Sequence, residues 1–210
     1  MNLQFAATAF ATAFTIIDPI GMIPLTLAVT ASVPVQDRTA IVDRAVLIAA
    51  AIILVMGIVG RGILNYLGIT LPAFQIAGGI LLFLIAVDML FARKTGTKQT
   101  DEETREGAEA ENPAIFPLAV PMIAGPGTIA TVLLLVNLAD GNRERLVIIY
   151  VAYGLALFVT WLCMRAANVV LRVLGKEGVN VLTRLLGIIL AALAIQFIIN
   201  GLKDAGFGHG

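Results

Sequence analysis

Charge is scarce in this sequence. Only 13% of its 210 residues are Asp, Glu, Lys or Arg, about half the share a soluble domain carries. Fourteen basic and fourteen acidic side chains give a net charge of zero. That balance excludes an electrostatic grip on nucleic acid or on an acidic partner. There is one cysteine, Cys163, so an internal disulfide is excluded. The one histidine, His209, stands in the terminal GFGHG, where a disordered tail is the expectation. It cannot complete a Ser/His/Asp set, and HExxH, CxxC and Walker A patterns are missing too. No catalytic constellation or cofactor motif remains, so the chain reads as a non-enzyme. Any active process would draw on an ion gradient or on a separate ATPase.

What the chain has instead is apolar length. Hydrophobic residues make up 59% of it and the mean hydropathy is +0.95. Residues 62–87, 112–139, 146–164 and 185–202 contain no Asp, Glu, Lys, Arg or His. Uncharged apolar runs of about 18 residues or more mark membrane-spanning helices. Six spans are expected, at about 3–30, 45–67, 69–91, 113–139, 146–171 and 181–202, giving an all-α polytopic membrane protein of the cell (inner or plasma) membrane. The start MNLQFAATAF lacks the basic region of a signal peptide and reads as the first membrane helix.

The spans fall into two groups of three. Residues 1–92 form the first, 113–210 the second, and the hydrophilic stretch 93–112 reads as a mobile linker. Setting Gly79 on Gly187 aligns GGILLFLIAVDML (78–90) with LGIILAALAIQFII (186–199), which places Ala86 on Ala194 and Asp88 on Gln196. Nearly the same offset sets Pro19 against AGPGTIATV (124–132). Three spans per unit is an odd number, so the second unit would enter the bilayer inverted. Inverted repeats with a site at their interface are a recurrent plan of secondary transporters. For orientation, Arg38, Arg44, Arg93, Lys94, Lys98, Arg105, Arg165, Arg172, Lys176 and Arg184 lie toward one face, against Arg61, Arg143, Arg145 and Lys203 toward the other. The richer face is expected in the cytoplasm, with both termini outside.

The first and fourth spans carry breaks. IIDPIGMIPL, residues 16 to 25, holds Asp18, the only charged side chain before Asp37, with Pro19, Ile20 and Gly21 after it and Pro24 beyond. As one helix this span would be about 42 Å long, against a hydrocarbon core of about 30 Å. Pro19 disfavours helical backbone at Asp18, and Pro24 fits early in a new helix. The fourth span repeats the device in PLAVPMIAGPGTIATV, with Pro117, Pro121 and then Gly125, Pro126 and Gly127. Thr128 follows as the expected cap. Broken backbone at membrane depth survives only against protein or a water-filled cavity. Two such breaks would present two helix N-termini to an anionic group such as a carboxylate, and freed carbonyls to a cation or an ammonium. A lone carboxylate at the bilayer centre costs about 3 kcal/mol on insertion scales, so Asp18 is expected to face the interior as a ligand, a protonatable switch or a counter-charge. It is also the candidate Na⁺ ligand, since no metal-ligand set is evident. Thr15, Gln75, Thr131 and Gln196 are candidates to line the same cavity or bind an ion. Gln75 and Gln196 could equally join helices by hydrogen bonds.

Taken together, DPIGMIP (18–24), GITLPAFQIAGGILLF (68–83), PLAVPMIAGPGTIATV (117–132) and LGKEGVNVLTRLLGIILAALAIQFIING (174–201) resemble the MarC family of bacterial and archaeal membrane proteins. It is also called the small neutral amino acid transporter (SnatA/NAAT) family and is linked to the LysE-like superfamily. The resemblance implies six helices, outside termini, and a substrate such as glycine or alanine. Many members have Asn where this chain has Asp18, which narrows that position from proton carrier toward polar ligand. The resulting expectation is a secondary transporter of small neutral amino acids coupled to Na⁺ or H⁺. Its partners would be that substrate and the lipid bilayer, and a homo-oligomer is compatible with the sequence. The rival readings are an exporter or channel for another small solute, and a non-transporting scaffold whose prolines are only kinks.

Overall fold

The structure, a computed structural model, describes residues 2–30, 33–91 and 112–207. The linker therefore lies almost wholly outside the described residues, and so does His209. The described residues form eight helices and no strand: α1 (Asn2–Ile17), α2 (Met22–Val29), α3 (Val35–Tyr66), α4 (Leu71–Phe91), α5 (Ala114–Ile123), α6 (Pro126–Leu138), α7 (Arg143–Arg165) and α8 (Ala167–Asp204). Five stretches are long and apolar enough to cross a bilayer: Leu3–Val29, Gln36–Gly60, Leu71–Phe91, Arg143–Arg165 and Glu177–Asp204. The pair α5–α6, bent by 51°, makes a sixth. The chain is thus an all-helical polytopic membrane protein. Large apolar side chains such as Leu47, Val147 and Ile188 are exposed on its outer surface, where lipid tails rather than water would cover them.

Helix ends follow local chemistry. Asn142 accepts from the backbone N–H groups of Glu144 and Arg145 at 3.0 and 3.2 Å and caps α7. Gly68, with φ 68°, closes α3 while the Ile69 N–H reaches back to the Leu64 carbonyl at 2.9 Å, the Schellman arrangement. Two boundaries differ from the sequence reading. The α3 helix begins at Val35, ten residues ahead of the expected span, with Pro34 as its cap and Asp37 in its first turn. An acidic residue there opposes the positive end of the helix dipole, so charge in VPVQDRTAIVDR favours a helix start rather than a loop. The fifth span stops at Arg165 instead of 171. After Ala166 the chain re-enters a helix, which kinks at Gly175 (φ 67°) before the sixth span.

In α5 the residues preceding Pro117 and Pro121 are extended: Phe116 at φ −121°, ψ 126° and Val120 at φ −132°, ψ 126°. Clash with the following proline ring drives both out of helical backbone, leaving a wide, irregular coil.

The most extensive contact joins α4 to α8. They run antiparallel through small residues. A Cβ on Gly79 would stand 2.8 Å from the Ala194 carbonyl oxygen, and one on Gly187 would stand 3.2 Å from that of Ala86. Only glycine lets the two backbones come this close. The other major contacts also cross between the two groups of three. The α1 helix packs on α7 and α8, α2 packs on α7 and α8, and α5 and α6 pack on α3, with α6 also on α4. The core they enclose includes Ile17, Leu82, Ile85, Leu118, Ile123, Leu134 and Leu190, all fully buried or nearly so.

Candidate functional site

Asp18 is the pivot of the first break. Its backbone N–H completes α1 by donating to the Phe14 carbonyl at 3.0 Å, and its own carbonyl accepts from Met22 at 3.0 Å. Between those bonds the chain turns through φ 56° at Asp18, the left-handed region that Asp and Asn enter more readily than other non-glycine residues. The side chain is 6% exposed, and its Oδ1 accepts from the Gly21 N–H at 3.0 Å. The carboxylate therefore closes the turn that leads into α2 and sits at the positive end of that helix. Gly21 makes room for it: a Cβ there would collide with Oδ2 and lie 2.7 Å from Cγ. Pro19 is buried and Ile20 half-buried.

At the second break Gly125 is extended (φ −79°, ψ 176°) and stands at the N-cap of α6, with Pro126 in the first turn. The Thr128 side chain was the expected cap, and the structure corrects this. Gly125 holds the position, because proline favours the first helical position and so sets the cap one residue before Pro126; glycine has no side chain to make a capping hydrogen bond. Thr128 lies inside α6 and is buried. The Pro121 carbonyl presses on the Cα of Gly125, so a side chain at that position has no space. Pro126 itself is exposed.

The two breaks touch. A Cβ on Gly127 would meet Ile16 Cδ1 at 2.9 Å and Ile85 Cδ1 at 2.6 Å, so the last turn of α1 lies directly on the first turn of α6, with α4 alongside. Apolar side chains fill the contact itself. Thr15 and Thr131 flank it, each hydroxyl turned back 2.6 Å onto its own helix, at the Ala11 and Gly127 carbonyls. Gln75 is wholly buried against α8 near Gly201, and neither its amide nitrogen nor its oxygen has a protein partner. Gln196 does not join the group. It is exposed on α8, where its amide donates to Asn200 Oδ1 at 2.8 Å.

Two features escaped the sequence reading. Thr26 and Thr30 continue from Asp18 and Met22 at intervals of four, and both are buried. Their hydroxyls donate to the Met22 and Thr26 carbonyls at 2.7 Å. The spacing was visible and a new helix after the first break was expected, but its threonine face was not foreseen. The second feature joins α3 to α7. Asp43 accepts from the Trp161 indole at 2.7 Å and from Arg165 at 2.8 Å, and the Arg165 guanidinium lies 4.7 Å from the Trp161 ring centre. No local pattern announces a pairing across so long a stretch of chain.

Residues 3–205 match a family described as MarC family integral membrane protein. A membrane protein of Methanocaldococcus jannaschii is 37% identical over 205 residues, covering 98% of this chain and 99% of the relative. One from Aquifex aeolicus is 34% identical, covering 93% and 91%. Another from Archaeoglobus fulgidus is also 34% identical, covering 96% and 94%. No solved structure matches.

Proposed function

We propose that this chain, which belongs to the MarC family of integral membrane proteins, is a secondary transporter of small neutral amino acids of the glycine and alanine class, driven by Na⁺ or H⁺. The observation that carries the reading is the contact of two interrupted membrane segments at their breaks, Ile16 on Gly127, beside a buried carboxylate. Continuous helices would satisfy every backbone group in lipid at less cost; two breaks placed against each other call for a ligand. The substrate class rests on the family resemblance.

The geometry refines how such a substrate would be held. Asp18 already engages the start of α2, so the substrate carboxylate suits the start of α6, whose first turn has no side-chain cap. Asp18 and freed carbonyls at the breaks would face the ammonium, with Asp18 the candidate ligand for Na⁺. The contacts of Gly79 with Ala194 and of Gly187 with Ala86 are reciprocal under the offset that aligns the two units. This supports two inverted halves that could rock about a fixed site. The test is uptake of radiolabelled glycine or alanine into proteoliposomes under an imposed Na⁺ or H⁺ gradient. Gradient-dependent accumulation supports the proposal, and its absence from folded protein counts against it.

A further inference from the structure

Gln75 stands on α4, which begins at Leu71, so it lies only about 6 Å along the helix from that end. An amide turned outward there would reach the membrane surface. It is turned inward instead and is fully buried. Neither Nε2 nor Oε1 has a hydrogen-bond partner among the described residues. The buried hydroxyls of Thr15, Thr26, Thr30 and Thr131 differ, since each donates to a carbonyl on its own helix. Buried polar groups in folded proteins are nearly always paired, and an orphaned amide lowers stability. Leucine is of similar size and carries none of that cost. The amide is therefore not there to hold α4 on α8.

The α4–α8 seam makes room for it. A Cβ on Gly201 of α8 would stand 3.0 Å from both Gln75 Cβ and the Pro72 carbonyl oxygen, so glycine leaves the Gln75 side chain its place. Further along, the same seam closes on Gly79 with Ala194 and on Gly187 with Ala86. Gln75 thus points into the end of the seam nearest the start of α4. Gly127 of the second break meets α4 at Ile85, about 15 Å along the helix from Gln75. One glycine or alanine cannot touch both places. The α4 helix belongs to the first group of three spans and α8 to the second, so rocking of one unit against the other would open this seam at an end.

A primary amide offers an acceptor oxygen and two N–H donors. A bare cation would engage the oxygen alone, and a simple anion the nitrogen alone. A small solute that carries an acceptor and a donor side by side satisfies both, as the carboxylate and ammonium of a zwitterionic amino acid do. We propose that Gln75 is a solute-binding residue, a second station apart from the breaks, which takes such a zwitterion when the α4–α8 seam parts at this end. The identity of the solute rests on the transporter reading above; the opening of the seam at Gln75 does not.

The experiment measures equilibrium binding of radiolabelled glycine and alanine to purified protein in mild detergent, as parent, Gln75→Leu and Gln75→Asn, with thermal unfolding of each. Gln75→Leu should unfold at a higher temperature than the parent yet bind about 10- to 100-fold more weakly, the worth of one hydrogen bond to a charged group. Gln75→Asn keeps the amide on a shorter stem and should recover part of that affinity. A merely structural glutamine would give the reverse pattern, with stability lost and binding kept. A second arm places Gln75→Cys in a Cys163→Ser background and adds a water-soluble methanethiosulfonate. That thiol should react, while Leu82→Cys, equally buried about two turns further along α4, should stay protected. Gln75→Leu affinity within about threefold of the parent, or an unreactive Gln75→Cys, would overturn the proposal and spare the transport reading. A folded parent that binds neither amino acid, with Gln75→Cys still labelled, would overturn the station and the transport reading together.

Discussion

Asp18 offers the sharpest quantitative prediction, because its backbone and its side chain make separable demands. The position requires a left-handed φ of 56° and an acceptor for the Gly21 N–H. Asn meets both, so Asp18→Asn should leave unfolding stability within about 0.5 kcal/mol of the parent, as befits two nearly equivalent capping residues. Gly adopts the backbone freely but loses the hydrogen bond, a cost of about 0.5–1.5 kcal/mol. Ala loses the bond and also carries about 1–2 kcal/mol of left-handed strain, for a sum of about 1.5–3.5 kcal/mol. The expected order is Asp and Asn first, then Gly, then Ala. It is read from reversible unfolding in mixed micelles of mild detergent and dodecyl sulfate, followed by far-UV circular dichroism. If the charge mattered instead of the cap, Asn would fall with Ala, and that grouping would refute the reasoning. Under the transport reading, Asp18→Asn should still alter the ion or pH dependence of flux, which separates stability from function at one residue.

Gly79→Ala and Gly187→Ala each push a methyl group into a neighbouring backbone carbonyl on the α4–α8 seam. Each should cost about 1–3 kcal/mol in the same unfolding assay, with the double variant worse than either. Gln75→Leu removes an amide that is buried without a protein partner and should raise stability by about 1–3 kcal/mol. If that amide faces a transported solute, the same variant should slow glycine flux. Gly21→Ala, whose Cβ displaces the Asp18 carboxylate, should lower flux more than Asp18→Asn does, measured in matched proteoliposomes.

Much of this architecture could be read from uncharged length. Span positions follow from runs that lack Asp, Glu, Lys and Arg, and both breaks announce themselves through proline and glycine. The gap between the expected spans 45–67 and 69–91, at Gly68, was legible in the same way. The α3 start was not, because Asp37 and Arg38 look like loop until a helix N-terminus is known to favour an acid. The cap of α6 was displaced from Thr128 to Gly125 by Pro126, a case where proline at the first helical position outranks hydroxyl chemistry. Gln196 shows a deeper limit. The repeat alignment set it on Asp88, but an almost wholly apolar helix has no polar face to reveal its rotation, and the residue points outward. Asp43 lies on one span and Trp161 and Arg165 on another, and only the folded chain brings them together.

The central claim is that the touching breaks bind and move a small zwitterion. Its most direct test is glycine and alanine uptake into proteoliposomes, measured with an inward Na⁺ gradient, with an inward H⁺ gradient and with neither, on the parent and on Gly127→Val. That substitution forces a branched side chain between Ile16 and Ile85. The account predicts accumulation in the parent under one of the two gradients and its loss in the variant. Accumulation that survives Gly127→Val in full, or none from folded parent protein under either gradient, would contradict it.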